Sequence, residues 1–210
     1  LDSTSFTLKG RGFDDWTALK QTRHTQGLKL HLLYDTGKAV PVHQSLTAAN
    51  VNDRDEGVKL TLEREATYIF DKAYCDYNWW AAIDAAGAQF VTRFKKNAAL
   101  TVECARPIPS EEAQTILADE IVRFSNRYPG AGRKNTYAKP LRRITIVRLD
   151  HATPLILATN DLESAASKIG ALYKDRWRVE LFFKWIKQHL RIEVFYGTSA
   201  NAVHTQIWTA

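Results

Sequence analysis

The sequence predicts an α/β fold, a mixed sheet flanked by helices with a β-rich insertion over residues 96–150. Three observations lead there. "TYIFD" (67–71), "NWWAAIDAAG" (78–87) and "QFVTRFK" (89–95) alternate strand, helix and strand, a rhythm that calls for at least one parallel crossover. The apolar strand "TPLILATN" (153–160) precedes a helical stretch from Ser164 to about Leu190. Between these blocks the composition shifts to β-rich runs and holds four of the six prolines. The expected division is a first core part over 1–95, the insertion over 96–150, and a second core part over 151–210 that carries the Glu180 helix.

Taken in chain order, "GLKLHLLYD" (27–35) and "AVPVHQSLT" (39–47) are β-rich and separated by "TGK", the pattern of a hairpin. "DRDEGVKLTLERE" (53–65) has helical composition with acids in its first turn. "TYIFD" is a short apolar strand ending in an aspartate, and Gly87 closes the helix that follows it. Inside the insertion, "LTVECA" (100–105), "EIVRF" (120–124) and "RRITIVRLD" (142–150) are strand-like, and "RYPGAGRKN" (127–135) is turn-rich. No internal repeat or low-complexity tract occurs.

A chain of 210 residues with 45% hydrophobic and 25% charged residues has the composition of a soluble globular protein. Its 29 Lys and Arg against 23 Asp and Glu give a net charge of +6, which favours a polyanionic partner. Cys75 and Cys104 form no CxxC pair, so neither a disulfide framework nor a zinc site is implied and a reducing, cytoplasmic setting is expected. No signal peptide and no bilayer-spanning apolar run is present, so no membrane partner is expected. The chain lacks methionine and begins "LDSTSF", the pattern expected of a piece whose upstream residues are missing.

The chemistry concentrates in "YKDRWRVELFFKWIKQHL" (173–190). On one continuous helix Tyr173, Arg176, Glu180 and Lys187 share a stripe about 60° wide. Leu172, Val179, Phe183, Ile186 and Leu190 form an apolar stripe on one side of it, and Trp177, Leu181 and Trp185 flank the other. A polar line bordered by hydrophobes on both sides is expected to face a cleft. The plainer reading is a surface helix with Arg176 and Glu180 as an i,i+4 pair.

The spacing Tyr-x2-Arg-x3-Glu-x6-Lys resembles the signature of the insertion-sequence-4 family of DDE transposases, whose catalytic domain is ribonuclease-H-like. The resemblance extends along the chain. Asp2-Ser3-Thr4 is similar to the segment around the family's first aspartate, and "IFDKAY" places Asp71 as the second, with Ala73 where glycine is usual. "KLHLLYD", "TAANVND" and "RFKKN" also look like family segments.

That resemblance implies Asp2, Asp71 and Glu180 as catalytic, metal-binding acids. The expected cofactor is Mg²⁺, with Mn²⁺ as a substitute, as two ions that together activate a nucleophile and stabilise the leaving oxygen of a phosphodiester. Tyr173, Arg176 and Lys187 are implied as phosphate contacts, joined by Trp177, Lys184, Arg93 and Lys95 as DNA-binding candidates, with Lys96 beside them. The implied function is cut-and-paste transposition in bacterial cytoplasm, cleaving element ends through a hairpin and joining them to double-stranded target DNA, with a homodimer in the active complex. The alternatives are a nuclease of the same fold without strand transfer, or a DNA-binding domain with no catalysis. Asp71 also suits a turn-capping role. Trp177 and Trp185 are expected in the core, with Trp177 the better candidate for stacking on a base. Cys75 is expected as a small buried residue. The histidines lack metal-ligand spacing, and His31 is a candidate neighbour of the site.

Overall fold

A computed structural model describes residues 1–8, 12–13, 16–19, 26–125, 134–148, 151–189 and 195–209. Most of the turn-rich segment 127–135, His24 and Leu190 therefore lie outside the described residues. The chain divides into two compact units, Leu1–Lys59 with Arg176–Ala210, and Leu60–Asp175.

The first unit is built on an antiparallel sheet. β3 (Gln26–Asp35) forms a hairpin with β4 (Val40–Ala48), β1 (Asp2–Thr7) pairs along its other edge, and short β2 (Ala18–Leu19) pairs with the start of β3. Alternation sorts the side chains of β1 and β3 onto two faces. On one face Phe6, Leu28, Leu30 and Leu32 are buried against Val179, Phe183 and Ile186 of α4 (Trp177–His189) and Val203 and Ile207 of α5 (Ala200–Trp208). Val179, Phe183 and Ile186 of the expected apolar stripe are thus the core face of α4, whereas Leu172 lies on α3 (Ala166–Asp175) and packs against the core of the second unit. The opposite sheet face is polar, with Ser3, His31 and Ser45 in lateral register. α1 supplies side chains to that face but spans only Asp53–Gly57, shorter than the helix expected over 53–65. Gly57 and the β-branched Val58 disfavour continuation.

The second unit carries a six-stranded mixed sheet in the order β5-β6-β10-β9-β8-β7. Its strands are β5 (Thr67–Ile69), β6 (Gln89–Arg93), β7 (Leu100–Ala105), β8 (Ile116–Phe124), β9 (Leu141–Ile146) and β10 (Leu155–Thr159). β5 and β6 are parallel and joined through α2 (Tyr77–Ala85), which is the expected crossover; every other pairing is antiparallel. α2 is capped by Asp76, which accepts from Asn78 and Trp79, and it is followed by Gly87 at φ +73°. Trp80, fully buried, stacks among Phe90, Tyr77 and Phe124 on the α2 side of the sheet. Val91, which points away from that side, packs with Ile144, Leu157 and Ile169 of α3 (Ala166–Asp175). Helices therefore cover both faces. This is a mixed α/β architecture consistent with the expected ribonuclease-H-like class, and β7, β8 and β9, which fall within 96–150, hydrogen-bond into the same sheet.

Candidate functional site

The helical stretch expected to run unbroken from 164 to 190 is two helices. α3 ends at Asp175, Arg176 forms a turn, and α4 starts at Trp177. This corrects the single four-residue stripe. Tyr173 is buried in the core of the second unit with Ile169 and Val91, whereas Arg176, Glu180 and Lys187 belong to the first.

In the first unit one guanidinium nitrogen joins two acids. Arg176 Nη1 lies 3.0 Å from Asp2 Oδ2 and 2.6 Å from Glu180 Oε1. Glu180 comes from the first turn of α4, Asp2 from the start of β1, and α4 packs on β1 through the apolar contacts described above. The remaining oxygen of Asp2, Oδ1, accepts from the Ser3 backbone N–H at 2.8 Å. Burial raises the Asp2 carboxyl above the ordinary range, against the lowering effects of that N–H and of Arg176. Lys187 sits two turns beyond Glu180 on α4, its Nζ 5.6 Å from the centroid of the Phe6 ring. Lys184 is exposed.

Trp177 and Trp185 are not core residues. They are 56% and 49% exposed, because α4 turns Val179, Phe183 and Ile186 inward and leaves this flank outside. Trp185 stacks on His189 with ring centroids 5.2 Å apart.

In the second unit Asp71 follows β5 after one residue, the buried Phe70. Its Oδ1 accepts from the Ala73 N–H at 3.2 Å, capping the single 3-10 turn Lys72–Tyr74, and its Oδ2 receives Arg93 Nη2 at 2.6 Å. The capping role that the sequence allowed is thus present, together with a cationic partner. The pair opens onto a cavity of about 620 Å³ whose charged lining is Asp71, Lys72, Arg93, Lys95, Lys96 and Arg148. Five cations against one carboxylate make it an anion-attracting recess, and Phe94 and Ile156 add an apolar part to its wall. Lys72 and Arg148 were missed by sequence reasoning. Arg148 reaches the recess only because β9 and β10 pair, and its guanidinium is held by the Thr153 carbonyl.

Among the described residues, no three His, Cys, Asp or Glu side chains gather as a metal-binding group. The structure brings Asp2 and Glu180 together and places Asp71 in the other unit. Cys75 is buried, as expected, and burial pushes its thiol up to about 12; Cys104 is exposed. No described helix is long and apolar enough to cross a membrane.

A β-strand acid and a helix acid sharing one arginine, with a second aspartate in a basic recess, suit a protein that handles phosphodiesters. The chain belongs to the transposase DDE domain family, which it matches over residues 1–210. It is similar to y4zB of Sinorhizobium fredii, which carries a provisional transposase name, at 43% identity over 193 residues, 91% of this chain and 52% of that protein. It is 27% identical over its full 210 residues to a Geobacillus stearothermophilus protein named, also provisionally, as the transposase for insertion sequence element IS5377, covering 53% of it. A shorter match, 34% over 58 residues, links 27% of the chain to 17% of a Synechocystis protein provisionally named as the transposase for element IS4SA. The chain spans about half the length of the first two relatives.

Proposed function

We propose that this chain is the catalytic part of a DNA transposase that cleaves element ends and joins them to double-stranded target DNA by a cut-and-paste route with a hairpin stage, as a homodimer on DNA. Asp2, Asp71 and Glu180 are its three carboxylates. The observation that carries the reading is the convergence of Asp2 and Glu180, from different elements, on a single cationic nitrogen. Two carboxylate oxygens that close on one positive centre are a donor set suited to a hard divalent cation. Bound Mg²⁺, or Mn²⁺ in its place, would supply charge neutralisation and polarisation of the scissile phosphodiester there.

The chain's own residues hold the substrate. Arg176 offers a phosphate a planar, permanently charged fork once it exchanges a carboxylate for it, and Lys187 adds a point charge on the same helix. In the second unit Arg93, Lys95 and Lys96 line the recess as phosphate contacts, with Lys72 and Arg148 as further cations. Trp177, exposed next to Arg176, is available to stack on an unpaired base.

The test uses the full-length protein and DNA bearing the element ends. Glu180→Gln keeps the side chain's shape and removes its charge, so cleavage should fall by about two orders of magnitude or more while end binding is kept. Normal cleavage by Glu180→Gln would remove the catalytic reading.

A further inference from the structure

We propose that Asp53, acting through Ser3, is a positioning residue that fixes the direction of the Asp2 carboxylate; the proposal rests on the catalytic reading of Asp2. Neighbouring residues of a strand point to opposite faces, so a side chain pinned on one face sets the orientation of the next residue on the other. Asp2 lies on the α4 face of the sheet, where its Oδ2 accepts from Arg176 and its Oδ1 from the Ser3 N–H. Ser3 is pinned from behind, where its hydroxyl donates to Asp53 Oδ1 at 2.8 Å.

Asp53 is itself anchored without reference to Asp2. Lys29 Nζ lies 3.1 Å from the same Oδ1 and also donates to the Val51 carbonyl at 2.7 Å, tying the approach to α1 onto β3. His31, directly across from Ser3 in the β1–β3 register, is only 3% exposed and places Nδ1 3.7 Å from Asp53 Oδ1. Its Nε2 is bonded with Thr47 Oγ1 at 2.9 Å, which extends the network to β4. β1 through Ser3 and β3 through Lys29 and His31 thus meet at the α1 carboxylate that holds the Ser3 hydroxyl, and β4 joins one step removed through Thr47. Catalytic groups lose about 100-fold in rate for a displacement of about 1 Å, and supporting side chains are what hold them within about 0.5 Å.

The test compares Ser3→Ala, Asp53→Ala, Asp53→Asn and the Ser3→Ala/Asp53→Ala pair in the full-length protein with element-end DNA. It reads single-turnover cleavage, DNA affinity, and Mn²⁺ affinity by electron paramagnetic resonance in the absence of DNA. Ser3→Ala and Asp53→Ala should each slow cleavage about 10-fold or more and weaken Mn²⁺ binding about 10-fold, with DNA affinity unchanged. Asp53→Asn retains an oxygen for the Ser3 hydroxyl and should recover most of both. The double variant should be no worse than either single one, because both cut the same link. The positioning role is overturned if Ser3→Ala matches the parent in rate and Mn²⁺ affinity, or if the two losses multiply. Glu180→Gln run in parallel separates the two readings. An inactive Glu180→Gln beside parent-like Ser3 and Asp53 variants removes only the positioning role, whereas an active Glu180→Gln removes the catalytic reading on which it rests.

Discussion

Arg142 is the test of whether the second unit is assembled as described. It is 1% exposed on β9, and Asp119, across on β8, is 5% exposed. Arg142 Nε donates to Asp119 Oδ1 at 2.7 Å and Nη2 to Oδ2 at 2.6 Å, while Nη1 donates to the Ser164 carbonyl ahead of α3. Arg142→Met keeps much of the aliphatic volume and deletes all three bonds. The other cation near Asp119, Arg106, has its Nε 3.6 Å away, beyond hydrogen-bonding distance. Breaking one side of a buried, forked ion pair costs about 3–5 kcal/mol. At about 2–4 °C per kcal/mol for a chain of this size, Tm should fall by about 6–20 °C. Arg142→Lys keeps the charge but not the fork and should fall between variant and parent. Replacing both partners, as Arg142→Met with Asp119→Leu, removes the stranded carboxylate and should regain part of the loss, with the Ser164 carbonyl still lacking its donor. Thermal unfolding followed by circular dichroism reads all of these. A Tm for Arg142→Met within about 3 °C of the parent would refute this burial and pairing of Arg142.

Two further outcomes follow from the sites. Arg93→Ala should cost about 1 kcal/mol or less in stability, since its pair with Asp71 is partly solvated, yet lower the slope of log affinity for DNA against log salt by about 0.9; an unchanged slope would count against a phosphate contact. Burial lowers the His31 pKa below its ordinary 6.5, with Asp53 and Glu56 opposing and Lys29 and Lys59 assisting, so the unfolded chain binds the proton more readily than the fold does. Stability should therefore be full above about pH 6.5 and decline as pH falls through the lowered value, and His31→Gln should lose that part of the slope in urea unfolding at pH 7.5 and 5.5.

Much of this was legible in the sequence because local signals and tertiary packing agree. The hairpin at 27–47, the crossover from β5 through α2 to β6, and the core stripe Val179, Phe183 and Ile186 each follow from a period that the fold also uses. Besides the break at Arg176, two elements were misread for physical reasons. The run 53–65 has helical composition, but helix formation ends at Gly57, and residues 61–63 have no regular structure where the Glu63 N–H donates to the Tyr68 hydroxyl. Helix α5 was not foreseen; it is capped by Ser199 and turns Val203 and Ile207 into the first core, a burial that only the assembled sheet provides. Asp53 looked like an ordinary acid in a helix's first turn, and nothing local marks it as the partner of Ser3, fifty residues earlier.

Arg176 shows where periodicity stops being informative. Its spacing to Glu180 is that of a surface i,i+4 pair, and that pair exists at 2.6 Å. The plain reading is therefore correct as far as it goes. What changes its meaning is the bond to Asp2, 174 positions away, which no helical wheel contains. The same residue is also the turn that separates α3 from α4, so the signature read as one face of one helix belongs to two helices and two compact units. A spacing motif records which residues are kept at fixed intervals, and it is silent on whether a helix runs through them. The turn at Arg176 assigns Tyr173 to packing around Val91 and Ile169, while Arg176 and Glu180 meet the strand that carries Asp2. A loss of function in Tyr173→Phe would therefore be expected to arrive through the core of the second unit, and in Arg176→Lys through the carboxylates it joins, although the two residues stand three positions apart in one motif.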